Sequence, residues 1–562
     1  MPAFRGQGYQ AMNVAQEKRL RSDLAILALL AALSVAPYVY RLGFYSDDWG
    51  FLSMLLNSHD QSFSGLLAIQ YPNDNLRMRP TQMIYQAALF TAFGIRPLGY
   101  HAVNAFVLAA AVILLYLILR EIGMPLTVAR AVSAVYLVLP NYSTDRFWFA
   151  AFGYTLTAAL FLLSTYALLR ASRGGAFVFW YAVALLACAA SALGMEIFLP
   201  LSLAVPVALW LRTRNLGRVK RLLLLGGPMV IIAAAIGYKA ENAVGAASPN
   251  LSYLVRLAIG SVTVNFGTFG IALPHTVAWS MRQLTPLAIV LTAILGAIVF
   301  WWLQREDVPP YSRRSWIEIV IAGWLVFCLG VAIFVVTPRA AFWSTGISNR
   351  VWIAAALGTA AVFVGAAGWL TSGLPPAFRH RVFSALVATV CASCFAIAVS
   401  LSTYWIAAWP SQLEILDKMQ RTLPRPRPGT TLILYGSCPY LGPAIVFESP
   451  WDFAGARKVL YRDPTLAGDV LDDTRGGRFG ITEDGLWTRL YGELRSYRFG
   501  PDLLLFDYRA GKIRPLTDRA SAVAALSEPT GCPQGIEGAG AVSLPLDTWY
   551  ATTGENISRL WR

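Results

Sequence analysis

The first apolar run of the chain, Leu24–Tyr40, reads LAILALLAALSVAPYVY and contains no charged residue. A helix needs about 17–25 mostly apolar residues to cross a bilayer, so this run is long enough to span a membrane once. Across the 562 residues, hydrophobic residues make up 56% and charged residues 14%, against about 45–50% and about 25% in ordinary globular proteins. A soluble chain cannot bury that much apolar surface, and the composition therefore predicts an integral membrane protein.

Similar apolar runs recur along the chain and predict about eleven transmembrane helices. Met83–Gly94 is also apolar but short, and we expect it to lie at the outer membrane face without crossing. Leu251–Leu273 is interrupted by Arg256, Asn265 and several glycines, and we do not expect it to cross. The predicted spans are Leu24–Tyr40, His101–Leu119, Ala131–Pro140, Gly153–Leu169, Ala176–Leu193, Ile197–Leu211, Leu222–Tyr238, Leu284–Leu303, Trp316–Val336, Val351–Leu370 and Phe383–Trp405.

The distribution of charge predicts the orientation of these spans. Residues 1–405 contain 28 Lys and Arg against 13 Asp and Glu, whereas residues 406–562 contain 18 of each. Of the 28 basic residues, 18 fall in the loops on the side of the amino terminus and 10 on the other side. Because cytoplasmic loops are enriched in Lys and Arg, residues 1–23 are predicted to be cytoplasmic and residues 406–562 extracytoplasmic. The basic balance thus reflects loop orientation and not binding of nucleic acid, and an inner-membrane protein of a bacterium with a periplasmic domain is the expected setting.

The tail from residue 406 is predicted to be a small mixed α/β domain. It opens with the Pro-rich stretch Leu423–Gly429. Strands are expected at Thr430–Tyr435, at Leu503–Phe506 and, after a turn at Asp507–Lys512, at Ile513–Leu516. Cys438 and Cys532 are the two cysteines of this domain, and they would form a disulfide in an oxidising compartment.

The first outer loop, residues 41–100, contains the motif Phe44-Tyr-Ser-Asp-Asp-Trp-Gly50. Two adjacent carboxylates, Asp47 and Asp48, beside a membrane surface suit a general base, a cation site or both. The alternative interpretation is a solvated loop that carries two charges. A divalent cation such as Mg²⁺ or Mn²⁺ is therefore conceivable at this pair, and the sequence does not require one.

Other outer segments carry further charged residues near the predicted membrane face. Arg77 and Arg79 follow the acidic pair, and paired arginines of this kind suit a lipid phosphate. Asp145 lies in the second outer loop, Glu196 at the next outer turn, and Arg350 in the last outer loop before the tail. The signatures of soluble hydrolases, zinc proteases and P-loop enzymes do not occur in the sequence.

The order and sidedness of these pieces over about residues 24–405 resemble the GT-C superfamily of membrane glycosyltransferases, and within it the protein O-mannosyltransferase group. The pieces are the acidic pair in the first outer loop, an Arg-Pro followed by an apolar helix, and the stretch from Phe93 to Asn104 that includes His101. An Asp in the second outer loop, a Glu before a Pro-containing helix and a soluble domain after the spans complete the pattern. Many members of that superfamily have Lys before this Glu, where this chain has Met195.

The resemblance implies an inverting transfer of a sugar from a polyprenyl-phosphate carrier in the membrane lipid to a glycan, lipid or protein acceptor. It implies that Asp47 or Asp48 is the catalytic base, with Asp47 the first choice. The candidates for binding the donor phosphate are Arg77, Arg79 and Arg350. The candidates for contacts to acceptor or sugar are Asp145, His101, Asn104 and Glu196.

Two other classes of function remain open from the sequence. A secondary transporter or a flippase of lipid-linked glycans would also have many spans, but such proteins place charges near the bilayer midplane and often contain repeats. Here the acidic residues cluster in outer loops and no internal repeat is evident. A non-catalytic assembly or sensor protein that displays the tail is the third interpretation.

Overall fold

A computed structural model describes residues 3–173, 176–212, 217–242, 250–305, 312–337, 343–474, 477–527, 530–534, 540–542 and 544. The described chain is mostly helical, with a mixed domain at its end. In chain order the helices are α1 (Ala3–Val35), α2 (Asp47–Leu56), α3 (Phe63–Gln70), α4 (Asp74–Arg77), α5 (Pro80–Phe93), α6 (Pro97–Glu121), α7 (Leu126–Val138), α8 (Phe152–Ser172), α9 (Phe177–Ala192), α10 (Leu199–Arg212), α11 (Arg218–Asn242), α12 (Leu251–Val262), α13 (Leu273–Met281), α14 (Pro286–Gln304), α15 (Arg313–Val331), α16 (Ile353–Thr371), α17 (Pro376–Thr422), α18 (Pro450–Tyr461) and α19 (Arg519–Ala525).

Every predicted span coincides with one of these helices: α1, α6 to α11 and α14 to α17. Eight helical stretches of the described chain are long and apolar enough to cross a membrane, and three shorter apolar helices lie among them. The polytopic helical architecture that the composition predicts is therefore confirmed. Helix α1 begins at Ala3, so the predicted cytoplasmic segment and the first span form one continuous helix.

The interruption expected in Leu251–Leu273 does not occur. Helix α12 continues without a break into a wider π-helical stretch, Thr263–Ile271, and together they form one of the eight membrane-length helices. The amide of Asn265 donates to the carbonyl of Ser261 at 2.9 Å and its oxygen accepts from the Asn141 amide at 2.7 Å. The Asn265 side chain thus has hydrogen-bond partners within its own helix and in the neighbouring segment, so it can be buried without ending the helix.

The helices gather the loops at two ends of the bundle. At one end, Arg130 of α7 pairs with Asp23 of α1 at 2.7 Å, and Arg305 donates to Ser22 at 3.0 Å. The loops predicted to lie outside meet at the other end, which also carries the tail domain, and we call them the outer loops. Helix α5 lies among them, since Gln82 donates to the carbonyl of Ala150 in the second outer loop at 3.4 Å.

The last helix of the bundle reaches beyond the predicted membrane boundary. Helix α17 has 47 residues and ends at Thr422, so the expected domain start at residue 406 falls inside it. Its extension carries the tail domain: Lys418 donates to the carbonyl of Tyr508 at 2.6 Å, and Gln412 contacts the first outer loop by accepting from Trp49 at 2.7 Å.

The tail domain has a mixed sheet of order β4-β1-β8-β9, in which β1 is parallel to β4 and β8, and β9 is antiparallel to β8. The three predicted strands are β1, β8 and β9. The structure joins Cys438 and Cys532 in a disulfide with their Cα atoms 5.4 Å apart, the pairing expected from the sequence. The strands are β1 (Thr431–Tyr435), β2 (Tyr440–Leu441), β3 (Ala444–Ile445), β4 (Ala467–Val470), β5 (Phe479–Ile481), β6 (Gly485–Leu490), β7 (Glu493–Arg498), β8 (Leu503–Asp507) and β9 (Lys512–Pro515).

Candidate active site

Helix α2 begins inside the acidic motif, so Asp47 and Asp48 occupy its first turn. The carboxylate of Asp48 is completely buried. Its Oδ2 accepts the backbone N–H of Tyr45 at 2.8 Å, and its Oδ1 accepts the backbone N–H of Ala150 at 2.7 Å. Both oxygens are therefore engaged, and the side chain ties the first outer loop to the second. Asp48 therefore acts as a brace, a side chain that holds two loops together through hydrogen bonds to their backbone. Asp47 is left as the carboxylate available for chemistry.

Asp47 lies at the centre of the site and is only half-buried. Burial raises the pKa of its carboxyl, and the Arg350 guanidinium and the Trp451 indole N–H, which face the same carboxyl, pull the pKa the other way. Burial also raises the pKa of Asp48 well above its ordinary value, against the opposing effect of the two backbone N–H groups, and the charge of Asp47 adds to the rise. A carboxylate with a raised pKa is a stronger proton acceptor than an ordinary surface Asp.

Asn349 joins the last outer loop to the second outer loop and so brings Arg350 and Asp145 together. Its oxygen accepts the backbone N–H of Thr144 at 3.0 Å, and its amide donates to the carbonyl of Pro140 at 2.9 Å. Arg350 and Asp145 directly follow Asn349 and Thr144 in sequence, and they attract each other electrostatically. A buried amide of this kind holds two loops in one register, because breaking it would leave polar groups unsatisfied.

Asp145 is buried, with 1% of its surface exposed, yet neither of its carboxylate oxygens has a hydrogen-bond partner among the described residues. Burial raises its pKa well above the ordinary value, and the nearby Arg350 and Arg146 oppose that rise. Buried polar groups are almost always hydrogen-bonded, so an unsatisfied pair of oxygens beside a cation is a place where a ligand group or water belongs.

The positive charge of Arg350 attracts the carboxyls of both Asp47 and Asp145. Its guanidinium carbon is 5.2 Å from the ring centroid of Trp148, and the Trp148 indole N–H donates to the carbonyl of Tyr45 at 2.9 Å. Within the described chain Arg350 forms no close ion pair, whereas both other candidate arginines do. Its Nη1 donates to the carbonyl of Ile347, and it is the candidate arginine that no carboxylate of the described residues pairs at close range.

Arg79 and Glu196 form a second charged cluster at the outer loops. The Arg79 guanidinium donates to both oxygens of Glu196 at 3.1 Å, and Lys239 Nζ lies 2.8 Å from Glu196 Oε1. Lys239, at the end of α11, was not predicted from the sequence. It places an amine beside this Glu, whose neighbour in sequence is Met195, and the cluster keeps one net positive charge.

The remaining candidates occupy supporting positions. Arg77 donates to Asp74 at 2.6 Å and to the side chain of Asn242 at 2.8 Å, so two of its three side-chain nitrogens are engaged. His101 is buried and donates from Nε2 to the carbonyl of Gly43 at 2.9 Å. Asn104, also buried, donates to the carbonyl of Asp145 at 2.8 Å. The last two side chains brace helix α6 against the outer loops that carry the acidic residues.

The tail domain contributes residues to the site that sequence reasoning missed. Trp451 faces Asp47 and stacks on Tyr491, with ring centroids 6.0 Å apart. Glu448 is buried, with 5% of its surface exposed, and accepts a hydrogen bond from Ser46 at 3.1 Å. The presence of the tail was the only feature of the sequence that could have pointed to these site residues, since they lie in no motif and are some 400 positions from Asp47.

The acidic pair does not fit a two-carboxylate cation site. Both oxygens of Asp48 are engaged by backbone N–H groups, which leaves Asp47 alone to act as a ligand from that pair. Among the residues that the structure describes, no three His, Cys, Asp or Glu side chains are grouped so that they could hold a metal ion.

Solved structures similar to this chain include ArnT from Cupriavidus metallidurans bound to undecaprenyl phosphate, with 14% sequence identity and a TM-score of 0.39 over 79% of this chain and 85% of that chain. ArnT from Cupriavidus metallidurans in the apo state has 13% identity and a TM-score of 0.37 over 80% of this chain and 86% of that chain. No protein-family model matches the chain, and no curated protein matches it. Likeness at this level assigns no activity to the chain.

Proposed function

We propose that the protein is an inverting glycosyltransferase that moves a sugar from a polyprenyl-phosphate donor to a hydroxyl of a glycan, lipid or protein acceptor. The observation that carries the proposal is the meeting of Asp47, Arg350 and Asp145 at one end of an apolar helical bundle. A half-buried carboxylate suits proton acceptance, and the adjacent guanidinium suits a phosphate that gains charge as it leaves. The resemblance of the motif order to GT-C glycosyltransferases supports the same reaction.

In the proposed reaction, the acceptor hydroxyl oxygen attacks the anomeric carbon of the donor sugar while Asp47 takes the hydroxyl proton. The bond between the anomeric carbon and the phosphate oxygen breaks, and its electron pair leaves with the polyprenyl phosphate. Arg350 stabilises the negative charge that develops on that phosphate. Attack from the face opposite the leaving group inverts the configuration of the anomeric carbon.

The other residues have roles that follow from their positions. Asp145 presents two unsatisfied oxygens that can accept hydrogen bonds from sugar or acceptor hydroxyls. Asp48 holds the loop of Asp47 against the second outer loop. Arg79 and Lys239, which share Glu196, form a second positive site for the phosphate of a lipid carrier.

We place the site outside the cytoplasm, because the positive-inside rule puts the outer loops there. The tail domain would then be periplasmic in a bacterial inner membrane, where the disulfide of Cys438 and Cys532 can persist. A donor carried by a polyprenyl chain reaches this site from within the bilayer, so no nucleotide-sugar pocket is needed on that side.

The experiment that tests the proposal uses the full chain in lipid nanodiscs with a panel of polyprenyl-phosphate-linked sugars. We expect the parent protein to release free polyprenyl phosphate from one of these donors when an acceptor hydroxyl is supplied, and the Asp47→Asn variant to release none above background. Glu318→Gln, a change on the exposed face of α15, is the matched control and should behave as the parent. Movement of intact donors across proteoliposomes without release of the phosphate would favour the flippase interpretation instead.

A further inference from the structure

The backbone directly before Asp47 is held in an unusual conformation. Ser46, the residue that precedes helix α2, has φ 45° and ψ −120°. Residues other than glycine rarely adopt positive φ, and such conformations persist where the surroundings hold them. Ser46 is buried, so the contact that holds it must come from a neighbouring part of the protein.

That contact comes from the tail domain. The Ser46 hydroxyl donates to Glu448 Oε1 at 3.1 Å, across 402 positions of sequence. The other oxygen of Glu448 accepts hydrogen bonds from the hydroxyls of Tyr440 and Tyr491, the latter at 3.1 Å. Three hydroxyl donors therefore surround one buried carboxylate and fix its orientation.

The backbone of Glu448 is fixed as well. Its N–H donates to Asp452 Oδ2 at 2.8 Å, and Asp452 forms a capping box with Ser449 at the start of helix α18. Helix α18 packs so closely against α2 that a Cβ atom on Gly455 would lie 2.6 Å from the carbonyl carbon of Trp49. The start of α2, with Asp47, and the start of α18, with Glu448, are thus held together.

We propose that Glu448 is a positioning residue for Asp47: it holds the Ser46 turn, so that the base is in place only while the tail domain is docked on the outer loops. This inference rests on the proposed function, in which Asp47 is the base. It assigns the soluble domain a direct part in the transfer step, through one hydrogen bond across the interface between the two domains.

The test is a cycle of four full-length proteins: the parent, Ser46→Ala, Glu448→Gln and the double variant. Glu448→Gln keeps the size of the side chain and removes its charge. We expect kcat to fall by about 10-fold to 100-fold in each single variant, the scale of a lost charge-assisted hydrogen bond, with little change in the KM of donor or acceptor. The double variant should be no slower than the slower single variant, because both changes break the same link.

Amide hydrogen exchange of residues 43–50 provides a readout that does not depend on sugar transfer. We expect faster exchange in Glu448→Gln, and an intermediate effect in Tyr491→Phe, which removes one donor to Glu448 and leaves its charge. Glu483→Gln, an exposed change in the same domain, is the control and should leave exchange and kcat as in the parent.

Unchanged exchange at residues 43–50 in Glu448→Gln would overturn the proposal. Faster exchange with the kcat of the parent would also overturn it, because Glu448 would then only help to dock the tail domain. Additive losses in the double variant would also overturn it. If the parent transfers no sugar from any donor, the proposed function fails and the role of Glu448 toward a base fails with it. Faster exchange in that case would still identify Glu448 as the residue that holds the turn.

Discussion

Two buried clusters of charge lie at opposite ends of the helical bundle, and they differ in how well their partners satisfy them. At the end away from the tail domain, Asp23 accepts hydrogen bonds from Arg130, from the Trp302 indole at 2.8 Å and from the Tyr116 hydroxyl at 2.5 Å. At the outer loops, Asp145 is also buried, but its two carboxylate oxygens have no hydrogen-bond partner among the described residues.

The difference agrees with the proposed function, in which the paired cluster serves the fold and the outer cluster serves catalysis. A buried charge that is fully paired contributes no capacity to bind anything else, and its loss leaves the partner charge buried alone. An unsatisfied buried carboxyl is costly to the fold and persists where a ligand uses it. The Asp23 cluster joins α1, α6, α7 and α14, whereas the proposed function assigns the outer cluster to substrate binding.

The largest expected effect is on the outer cluster. Asp47→Asn removes the proton acceptor and keeps size and packing, so we expect the rate of sugar transfer to fall by about 10²-fold to 10⁴-fold with unchanged folding and membrane insertion. Initial rates and thermal unfolding of the purified protein measure the two properties. A parental rate in this variant would remove Asp47 as the base.

Asp48→Asn is the matched comparison for that variant. The new amide group would face one of the backbone N–H groups that Asp48 now accepts, from Tyr45 or Ala150. We therefore expect this variant to lose less transfer activity than Asp47→Asn and to lose stability instead, by about 1–3 kcal/mol.

The next effect concerns the opposite end of the bundle. Asp23→Ala leaves Arg130 buried without its partner, so we expect a loss of about 3–5 kcal/mol in the free energy of unfolding, with normal turnover per folded molecule. Replacement of both residues, Asp23→Val with Arg130→Met, should recover much of that loss. A stable Asp23→Ala protein with reduced turnover would show that this cluster also takes part in function, and the comparison of the two ends would fail.

A smaller effect is expected at Arg350. Arg350→Gln removes the charged partner of the donor phosphate and should raise the apparent KM of the donor by the equivalent of about 1.5–3 kcal/mol, with less change for the acceptor. The Arg350 charge also lowers the pKa of Asp47, so its removal raises that pKa. Because only the deprotonated base is active, the acidic limb of the profile of kcat against pH should move to higher pH in this variant. A limb that stays in place or moves to lower pH would separate Arg350 from Asp47.

The smallest effect is expected at Asp145, where the substitution should stabilise the fold, in contrast to the substitutions at Asp23 and Asp48. Asp145→Asn removes a buried negative charge whose oxygens have no hydrogen-bond partner among the described residues, so we expect the free energy of unfolding to rise by about 1 kcal/mol while the transfer rate falls. Chemical or thermal unfolding beside a rate measurement tests both. A loss of stability would mean that Asp145 is a paired structural charge like Asp23.

The sequence by itself determined the class of protein, the helices of the bundle and the strands β1, β8 and β9. These features depend on composition and on local patterns, since a run of apolar residues must leave water wherever it lies in the chain. The same kind of information placed Asp47, Asp145 and Arg350 in outer loops and suggested the pairing of Cys438 with Cys532. It failed at Leu251–Ile271, where Asn265 is satisfied by a neighbour that a local pattern does not reveal.

Only the tertiary structure decided which of these residues meet and in what state. Asp48 holds two loops together because Ala150 comes to it from another loop. Lys239 pairs with Glu196 because α11 ends beside it. Glu448 reaches Ser46 across 402 positions of sequence. Contacts of this range arise from the packing of whole elements, and burial and pairing, which decide whether a carboxyl is a brace or a base, are properties of those contacts.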